Sequence, residues 1–195
     1  MRRARMTAMA EMTPLTDHFL IAMPALEDPN FHRSVTLICQ HDAHGAMGIV
    51  INRVADCTVG ELLSQLDIAT EREGLADQPI VAGGPVQPNR GFVLHDDDRE
   101  WNSTLRFGRG LAVTTSRDIL AAMARGEGPQ NALVALGYAG WTAGQLEAEL
   151  VQNSWLTVPA DQAILFHTPL EERWHAAARG LGVDLSRLAD YAGHA

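Results

Sequence analysis

Two groups of histidine and aspartate residues are the first candidates for chemistry, because imidazole and carboxylate groups bind metal ions. His41, Asp42 and His44 form an HDAH cluster, and His95 leads into the acidic run at residues 96–98. The cluster is predicted to lie on a turn, which does not fix ligand geometry as a helical pair of histidines does. Three consecutive aspartates cannot all face one ion. A polar turn and a solvated acidic loop explain both groups, so we predict no metal and no cofactor. The candidates for metal ligands, against that prediction, are His41, His44 and His95.

A second candidate site would bind an anion. Asn52 and Arg53 directly follow an apolar strand pattern, and the guanidinium group could hold an anionic ligand by bidentate contacts. Gly137 and Gly140 belong to the stretch GYAGWTAG, between a predicted strand and a predicted helix, where backbone amides can bind phosphate or carboxylate. The spacing matches neither the dinucleotide-binding nor the P-loop pattern, and close strand–helix packing explains the glycines equally well. Asn52, Arg53, Gly137 and Gly140 are the anion-site candidates, and Arg90 is a further arginine that could hold an anionic ligand by bidentate contacts.

Several classes of catalysis are excluded by composition. The sequence contains no lysine, which removes Walker-type phosphate binding, Schiff-base chemistry on pyridoxal phosphate and the kinase strand lysine. There is no GxSxG motif, and Cys39 lies inside an apolar strand pattern that predicts a buried, inert thiol. The formal net charge is −9, and no basic cluster occurs beyond the first residues, which argues against direct nucleic-acid binding. No catalytic residue is assigned.

Length and patterning predict one domain in a reducing compartment. The chain has 195 residues, enough for one good core, so we predict a frayed tail at residues 1–14 and a single domain at 15–195. No apolar stretch is long enough to cross a bilayer, and the arginine-containing leader lacks the apolar segment of a signal peptide. With only two cysteines, one of them inside an apolar strand pattern, we expect a reducing compartment and no disulfide framework, and the lack of a CxxC motif argues against a structural zinc site. These features predict a cytoplasmic protein that does not contact the membrane.

The segment 131–156 carries the clearest local pattern. Residues 132–136 are predicted to form a buried strand that ends at a glycine turn formed by Gly137 and Gly140. A helix is then expected from Thr142, because Thr142 and Gln145 have the spacing of a capping box.

The remaining patterns complete the set of expected elements. Two further capping boxes are predicted, Thr58 with Glu61 and Thr168 with Glu171. Residues 34–40 and 46–51 predict an antiparallel hairpin with a loop of about five residues, and residues 163–166 predict the last strand. The total of about nine short strands and four or five helices favours an α+β fold, with a mixed sheet and helices packed outside it.

Many short motifs, in order from residue 15 to residue 195, resemble those of the AlgH/YqgE family of bacterial proteins. They are FLIAMP (19–24), DPNFHRSVTLICQH (28–41), GAMGIVINR (45–53), GGPV (83–86), GFVLH (91–95), LGYAGWTAGQLEAEL (136–150), NSWL (153–156), ILF (164–166), RW (173–174) and GHA (193–195). The resemblance implies a cytosolic α+β protein with a mixed, largely antiparallel sheet, a small barrel-like part and surrounding helices. The family has no agreed activity and no agreed catalytic residues. It is sometimes labelled as transcriptional regulators, because one member is named after a proposed regulatory role.

The resemblance and the residues together favour a non-enzymatic binding or regulatory protein. Its partner would be an unidentified protein or small ligand, and any effect on gene expression would be indirect. The alternative is an anion- or metal-dependent enzyme, hydrolase-like, that uses Asn52, Arg53, His95 and the turn at residues 137–144.

Overall fold

The computed structural model describes residues 14–96, 98–185 and 187–188, so the predicted tail lies outside the described residues except for Pro14. The described residues form ten strands and five α-helices. The strands are β1 (His18–Ala22), β2 (Val35–Asp42), β3 (Gly45–Val50), β4 (Val54–Thr58), β5 (Pro79–Ala82), β6 (Val86–His95), β7 (Thr104–Phe107), β8 (Leu111–Thr114), β9 (Ala132–Thr142) and β10 (Trp155–Pro159). The helices are α1 (Val59–Gln65), α2 (Arg117–Ala124), α3 (Gln145–Val151), α4 (Gln162–Phe166) and α5 (Arg173–Arg179).

All ten strands belong to one mixed sheet, in which the order along the main path is β10-β1-β2-β3-β9-β6-β8-β7. Strand β5 pairs with β9 and with β4, off that path. The β5–β9 pair is parallel and every other pair among the described strands is antiparallel. The sheet curls into a half-barrel, and the predicted α+β fold with a largely antiparallel mixed sheet is confirmed.

Strand β9 runs through the glycines that were predicted to end it. Gly137 has a φ of +74°, a left-handed conformation that inserts an irregularity without stopping the strand. Leu133 and Ala135 belong to the main core, and Tyr138 packs against that same core. Side chains of a regular strand alternate between faces, so the step from Ala135 to Tyr138 requires a change of phase. The predicted glycine turn is therefore wrong, because Gly137 changes which side chains face the core.

Three backbone segments meet at Gly137. A Cβ atom on Gly137 would lie 2.4 Å from the carbonyl oxygen of Gly84, and one on Gly83 would lie 2.3 Å from the carbonyl oxygen of Gly137. The amide of Gly83 donates to Leu136 O at 2.7 Å, and Val50 N donates to Gly83 O at 2.8 Å. These contacts hold the segment after β5 between the end of β3 and the middle of β9, where only glycine fits.

The predicted capping boxes differ in outcome. The first is confirmed: Thr58 N donates to a carboxylate oxygen of Glu61 at 2.8 Å, and Glu61 N donates to the Thr58 hydroxyl at 3.3 Å. The second is half formed, because the Gln145 side chain accepts from Thr142 N at 3.1 Å but the helix begins after Gly144, without a side-chain cap. Strand β9 continues to Thr142, and this continuation moves the start of α3 toward the C-terminus.

The last predicted strand and the third capping box are both wrong. Residues 163–166 lie in helix α4, whose first turn is capped by Asp161: its carboxylate accepts from Ala163 N at 2.8 Å. The Thr168 hydroxyl donates back to Ala163 O at 3.2 Å, so it does not cap a following helix. A short 3-10 helix, Leu170–Glu172, precedes α5. A four-residue apolar run is compatible with either a strand or a short helix, and here the Asp161 cap favours the helix.

The hairpin between β2 and β3 is confirmed, but its turn is two residues long instead of five. Strand β2 extends to Asp42 and β3 begins at Gly45, so the HDAHG segment lies mostly within the strands. Gly45 has a φ of +136°, and a Cβ atom there would lie 2.2 Å from Trp141 O in the neighbouring strand. The close approach of β9 to this corner sets the short turn.

Helix α2 begins directly after Ser116 and ends two residues before Gly126. Asp118 accepts hydrogen bonds from Asn102 N at 2.8 Å and Ile119 N at 3.0 Å, and also from the Ser116 hydroxyl. Partial burial by itself raises the pKa of Asp118, but these hydrogen bonds outweigh burial and leave the pKa below its ordinary value. The aspartate therefore stays ionised at the helix N-terminus.

Helix α5 is fastened to the sheet by its first two residues. The Arg173 guanidinium donates to Ile51 O and, at 2.9 Å, to Thr168 O, and Trp174 Nε1 donates to Ala22 O at 2.9 Å. Burial lowers the pKa of Arg173 to about 10, which still leaves it charged at neutral pH. The arginine–tryptophan pair thus links α5 to the ends of β1 and β3.

Candidate functional site

A groove of about 910 Å³ lies on the face of the half-barrel that carries the main core. Its floor is apolar: Phe92 and Val113 are core residues, and Met47 and Tyr138 pack against the core from the groove side. Strands β2, β3, β6, β8 and β9 and the start of β7 all contribute to its walls. Gly137 places Tyr138 on this face, and so the irregularity in β9 helps to build the floor.

One end of the groove carries an aromatic pair and a cation. The rings of Phe92 and Tyr138 are 5.7 Å apart at 68°, an edge-to-face arrangement. The Arg90 guanidinium lies 5.5 Å from the centre of the Phe92 ring and donates to Gln87 Oε1 at 3.1 Å. No carboxylate among the described residues pairs with Arg90. Its positive charge is therefore available to a ligand.

The other end of the groove carries a carboxylate. Asp42 accepts hydrogen bonds from His44 N at 2.7 Å and from the Gln40 amide at 3.2 Å. The backbone hydrogen bond from His44, followed by that of Gln40, lowers the pKa of Asp42. Asp42 is therefore ionised at neutral pH, and a ligand that spans the groove meets a negative charge here and a positive charge at Arg90.

His41 is buried and serves as a structural tether. Its Nδ1 accepts from Leu15 N at 3.0 Å, and its Nε2 lies 2.8 Å from a carboxylate oxygen of Glu147. Since Nδ1 acts as an acceptor, the proton is assigned to Nε2, which donates to Glu147. His41 thus joins the residues before β1 to helix α3, and it does not line the groove.

His95 is fully buried at the end of β6. Its Nε2 lies 2.8 Å from the Thr114 hydroxyl, which lies 2.9 Å from the Thr104 hydroxyl. The Thr104 hydroxyl in turn contacts Trp101 O at 3.3 Å. This network crosses β6, β8 and β7. Neither threonine was singled out from the sequence. Thr104 and Thr114 lie opposite each other in β7 and β8, and only the register of these strands shows this.

The three candidate metal ligands are not brought together. His41 lies in β2, His44 in the following turn and His95 at the far end of β6. Within residues 14–96, 98–185 and 187–188, no group of three or more His, Cys, Asp or Glu side chains could hold an ion. Of the three, His44 alone lines the groove.

The predicted anion-site residues also have structural contacts. Asn52 Oδ1 accepts from Val35 N at 2.8 Å and its amide donates to Arg33 O at 2.9 Å. Arg53 donates to Pro29 O and to His32 O, in the second case at 3.0 Å. These bonds hold the loop between β1 and β2.

The two glycines of the anion-site prediction have different surroundings. Gly137 is enclosed by backbone, whereas Gly140 is exposed and lines the groove. An anion site formed by Asn52, Arg53 and the two glycines stays a prediction. Arg90, which the sequence offered as a possible anion contact, lines the groove. Phe92 and Tyr138 were missed, because their only sequence signal is membership of apolar strand patterns.

The two cysteines are expected to differ in reactivity. Burial raises the pKa of the Cys39 thiol far above its ordinary value. Cys57 is only partly covered, and its pKa is raised by desolvation and then by the nearby Glu61 and Asp56. The thiolate is the reactive form of a cysteine. We therefore expect Cys57 to react with a disulfide reagent at about pH 8 in the native protein, and Cys39 to react only after unfolding.

The matched control is Cys57→Ser, which should abolish native labelling, while Cys39→Ala should leave it intact. Rapid native labelling in the Cys57→Ser variant would contradict the buried position of Cys39.

Comparison with known proteins identifies the family. A family model described as AlgH-like, DUF179, matches residues 19–186. The chain belongs to the AlgH-like family. A UPF0301 protein of Xanthomonas campestris pv. campestris, strain B100, is 62% identical over 183 residues, covering 94% of this chain and 97% of the relative. A UPF0301 protein of Xanthomonas oryzae pv. oryzae, strain PXO99A, has the same identity and coverage.

Solved structures agree with the AlgH-like assignment. The solution structure of the AlgH protein from Pseudomonas aeruginosa has a TM-score of 0.77 and 51% identity, covering 100% of both chains. A crystal structure of a Corynebacterium diphtheriae protein shares the fold at 21% identity, with a TM-score of 0.73 and coverage of 93% and 95%. Among the described helices of the AlgH-like chain, none has the length and apolarity needed to cross a bilayer.

Proposed function

We propose that this AlgH-like protein is a non-enzymatic binding protein and that the groove is its ligand site. The observation that carries the proposal is the contrast between two sets of polar groups. His41, a candidate metal ligand, and Asn52, a candidate anion contact, have both of their hydrogen-bonding ends engaged by the fold. Arg90 and the Tyr138 hydroxyl, at the aromatic end of the groove, have no charged partner among the described residues. A ligand would satisfy them.

The size and lining of the groove support binding. Its volume of about 910 Å³ lies within the range of pockets for small ligands and short segments, about 300–1,000 Å³. Its aromatic floor offers apolar area, and Arg90 and Asp42 offer orientation. Two free thiols are consistent with action in the cytoplasm, and the net charge of −9 favours a regulatory effect through a partner over direct contact with nucleic acid. We place this function in one domain, residues 15–195.

Filling the groove tests the proposal. A Cβ atom on Gly140 would meet the Tyr138 ring at 3.5 Å and a Val86 methyl group at 3.9 Å, both ordinary contacts, so a side chain is accommodated there and extends into the groove. We expect Gly140→Phe to keep the fold and to block the groove, and Gly140→Ala to leave it open. Ligand-observed NMR with a panel of indole, benzoate, phenylacetate and short acetylated peptides should show binding to the wild type and to Gly140→Ala, and none to Gly140→Phe.

Equal binding to Gly140→Phe, or no binding of any probe at millimolar concentration, would overturn the groove as a ligand site. Hydrolysis of ester, phosphoester or peptide substrates that Gly140→Phe abolishes would instead support the enzyme alternative. A melting curve for each variant separates blocked binding from unfolding.

A further inference from the structure

We propose that the groove takes an extended peptide segment of about six residues with an acidic group, a C-terminal carboxylate or an acidic side chain, seated on Arg90. This proposal rests on the groove being a binding site and names the class of its ligand. Three observations lead to it: the length of the groove, the placement of its charges, and the type of its unpaired polar groups.

The length follows from the strand register. Asp42 is aligned with Thr142 through β3, and Gly91, the neighbour of Arg90, is aligned with Leu136. Residues 136 to 142 of β9 are six steps of about 3.3 Å, so the two charged ends are separated by about 20 Å along the strand. An extended peptide of about six residues has this length, whereas a single aromatic acid reaches only one end.

The charges fit a segment that carries an acidic group at one end. Arg90 has no carboxylate partner among the described residues, and its guanidinium lies 5.5 Å from the centre of the Phe92 ring. A carboxylate from a ligand can form charge-assisted hydrogen bonds with such a guanidinium. Asp42 at the opposite end disfavours a second anionic group and favours an amide or a basic side chain. An anion with charges at both ends does not fit this arrangement.

The unpaired polar groups suit a peptide backbone. Ser103, Thr115 and Tyr138 line the groove, and their hydroxyl groups bond to no other group in the part of the chain that the structure describes. A hydroxyl group both donates and accepts, as required by the alternating N–H and C=O groups of an extended chain. The apolar floor between them, at Val113 and Phe92, can take alternate side chains.

The experiment uses affinity selection with mass-spectrometric readout. Two hexapeptide libraries, one with free C-terminal carboxylates and one amidated, are passed over the full chain, Arg90→Gln and Gly140→Phe. We expect retained peptides to carry a free carboxylate or an acidic side chain, and their affinity to fall at least tenfold in Arg90→Gln. The exposed arginine variant Arg125→Gln, outside the groove, is the matched control and should bind as the wild type does.

The outcomes separate the two proposals. If the aromatic fragments bind and Gly140→Phe blocks them, but no hexapeptide is retained, the groove remains a ligand site and the peptide proposal is wrong. Equal peptide affinity for Arg90→Gln and the wild type would also overturn it, as would peptide retention by Gly140→Phe. If the wild-type protein binds neither the fragments nor the peptides, the groove is not a ligand site.

Discussion

Replacing Gly137 with alanine is expected to destabilise the protein by about 3 kcal/mol or more, whereas the same change at Gly140 is expected to shift stability by less than about 1 kcal/mol. Gly137 has a φ of +74°, and its added Cβ atom would lie 2.4 Å from the carbonyl oxygen of Gly84. A left-handed conformation costs a residue with a Cβ atom about 1–2 kcal/mol, and the backbone contact adds to this cost. Urea denaturation of both variants measures the difference.

Gly140→Ala is the matched control, because it lies in the same strand, three residues further on, with only ordinary contacts for its Cβ atom. Equal midpoints for the two variants would contradict the left-handed conformation at residue 137. Because Gly137 sets the face on which Tyr138 lies, any Gly137→Ala protein that folds should also bind the groove probes less tightly than Gly140→Ala.

Glu149→Ala is expected to destabilise the protein by about 3 kcal/mol, through two indole groups that lose their acceptor. One carboxylate oxygen of Glu149 accepts from Trp141 Nε1 at 2.9 Å and from Trp155 Nε1 at 2.8 Å, and the other accepts from Gln145 at 3.0 Å. Trp141 and Trp155 are 6% and 4% exposed, so water cannot readily replace the carboxylate. Each buried donor left unsatisfied costs about 1–3 kcal/mol. Thermal and urea unfolding followed by tryptophan fluorescence measures the loss.

Glu149→Gln is the conservative partner of this variant. Its amide oxygen can still accept from the indoles, so we expect a smaller loss than for alanine. Glu171→Ala, at an exposed position in the 3-10 helix, controls for removal of a charge and should be nearly neutral. A Glu149→Ala protein as stable as the wild type would show that the carboxylate does not hold α3 against the tryptophans.

Elements determined by local interactions were predictable from the sequence. Strand β2 of the hairpin is a β-branched run in which Val35, Leu37 and Cys39 alternate with Thr36, Ile38 and Gln40, and the capping box of Thr58 and Glu61 needs only residues three apart. The residues that define these two elements lie within one turn or one hairpin, whereas the length of the β2–β3 turn was predicted wrongly because the neighbouring strand β9 sets it.

Elements determined by distant contacts were not predictable. Gly137 is a strand residue instead of a turn residue because the segment at Gly83 and Gly84 crosses β9, and the sequence does not show that crossing. The groove also depends on a distant pairing, because Phe92 and Tyr138 meet only when β6 and β9 pair in the observed register. Arg90 could be noticed as a cation but not placed.

The position of β9 has a consequence for how the chain folds. Strand β9 pairs with β3, β5 and β6, and so it joins the half of the sheet built from the earliest strands to the half that follows. On the ribosome, neither half can close on the other until residue 142 has emerged, and β1 waits longer still for β10 at residues 155–159. Pairings between such distant residues slow folding. We expect nascent chains that stop before β9 to expose an unpaired β3 edge and to need chaperone protection.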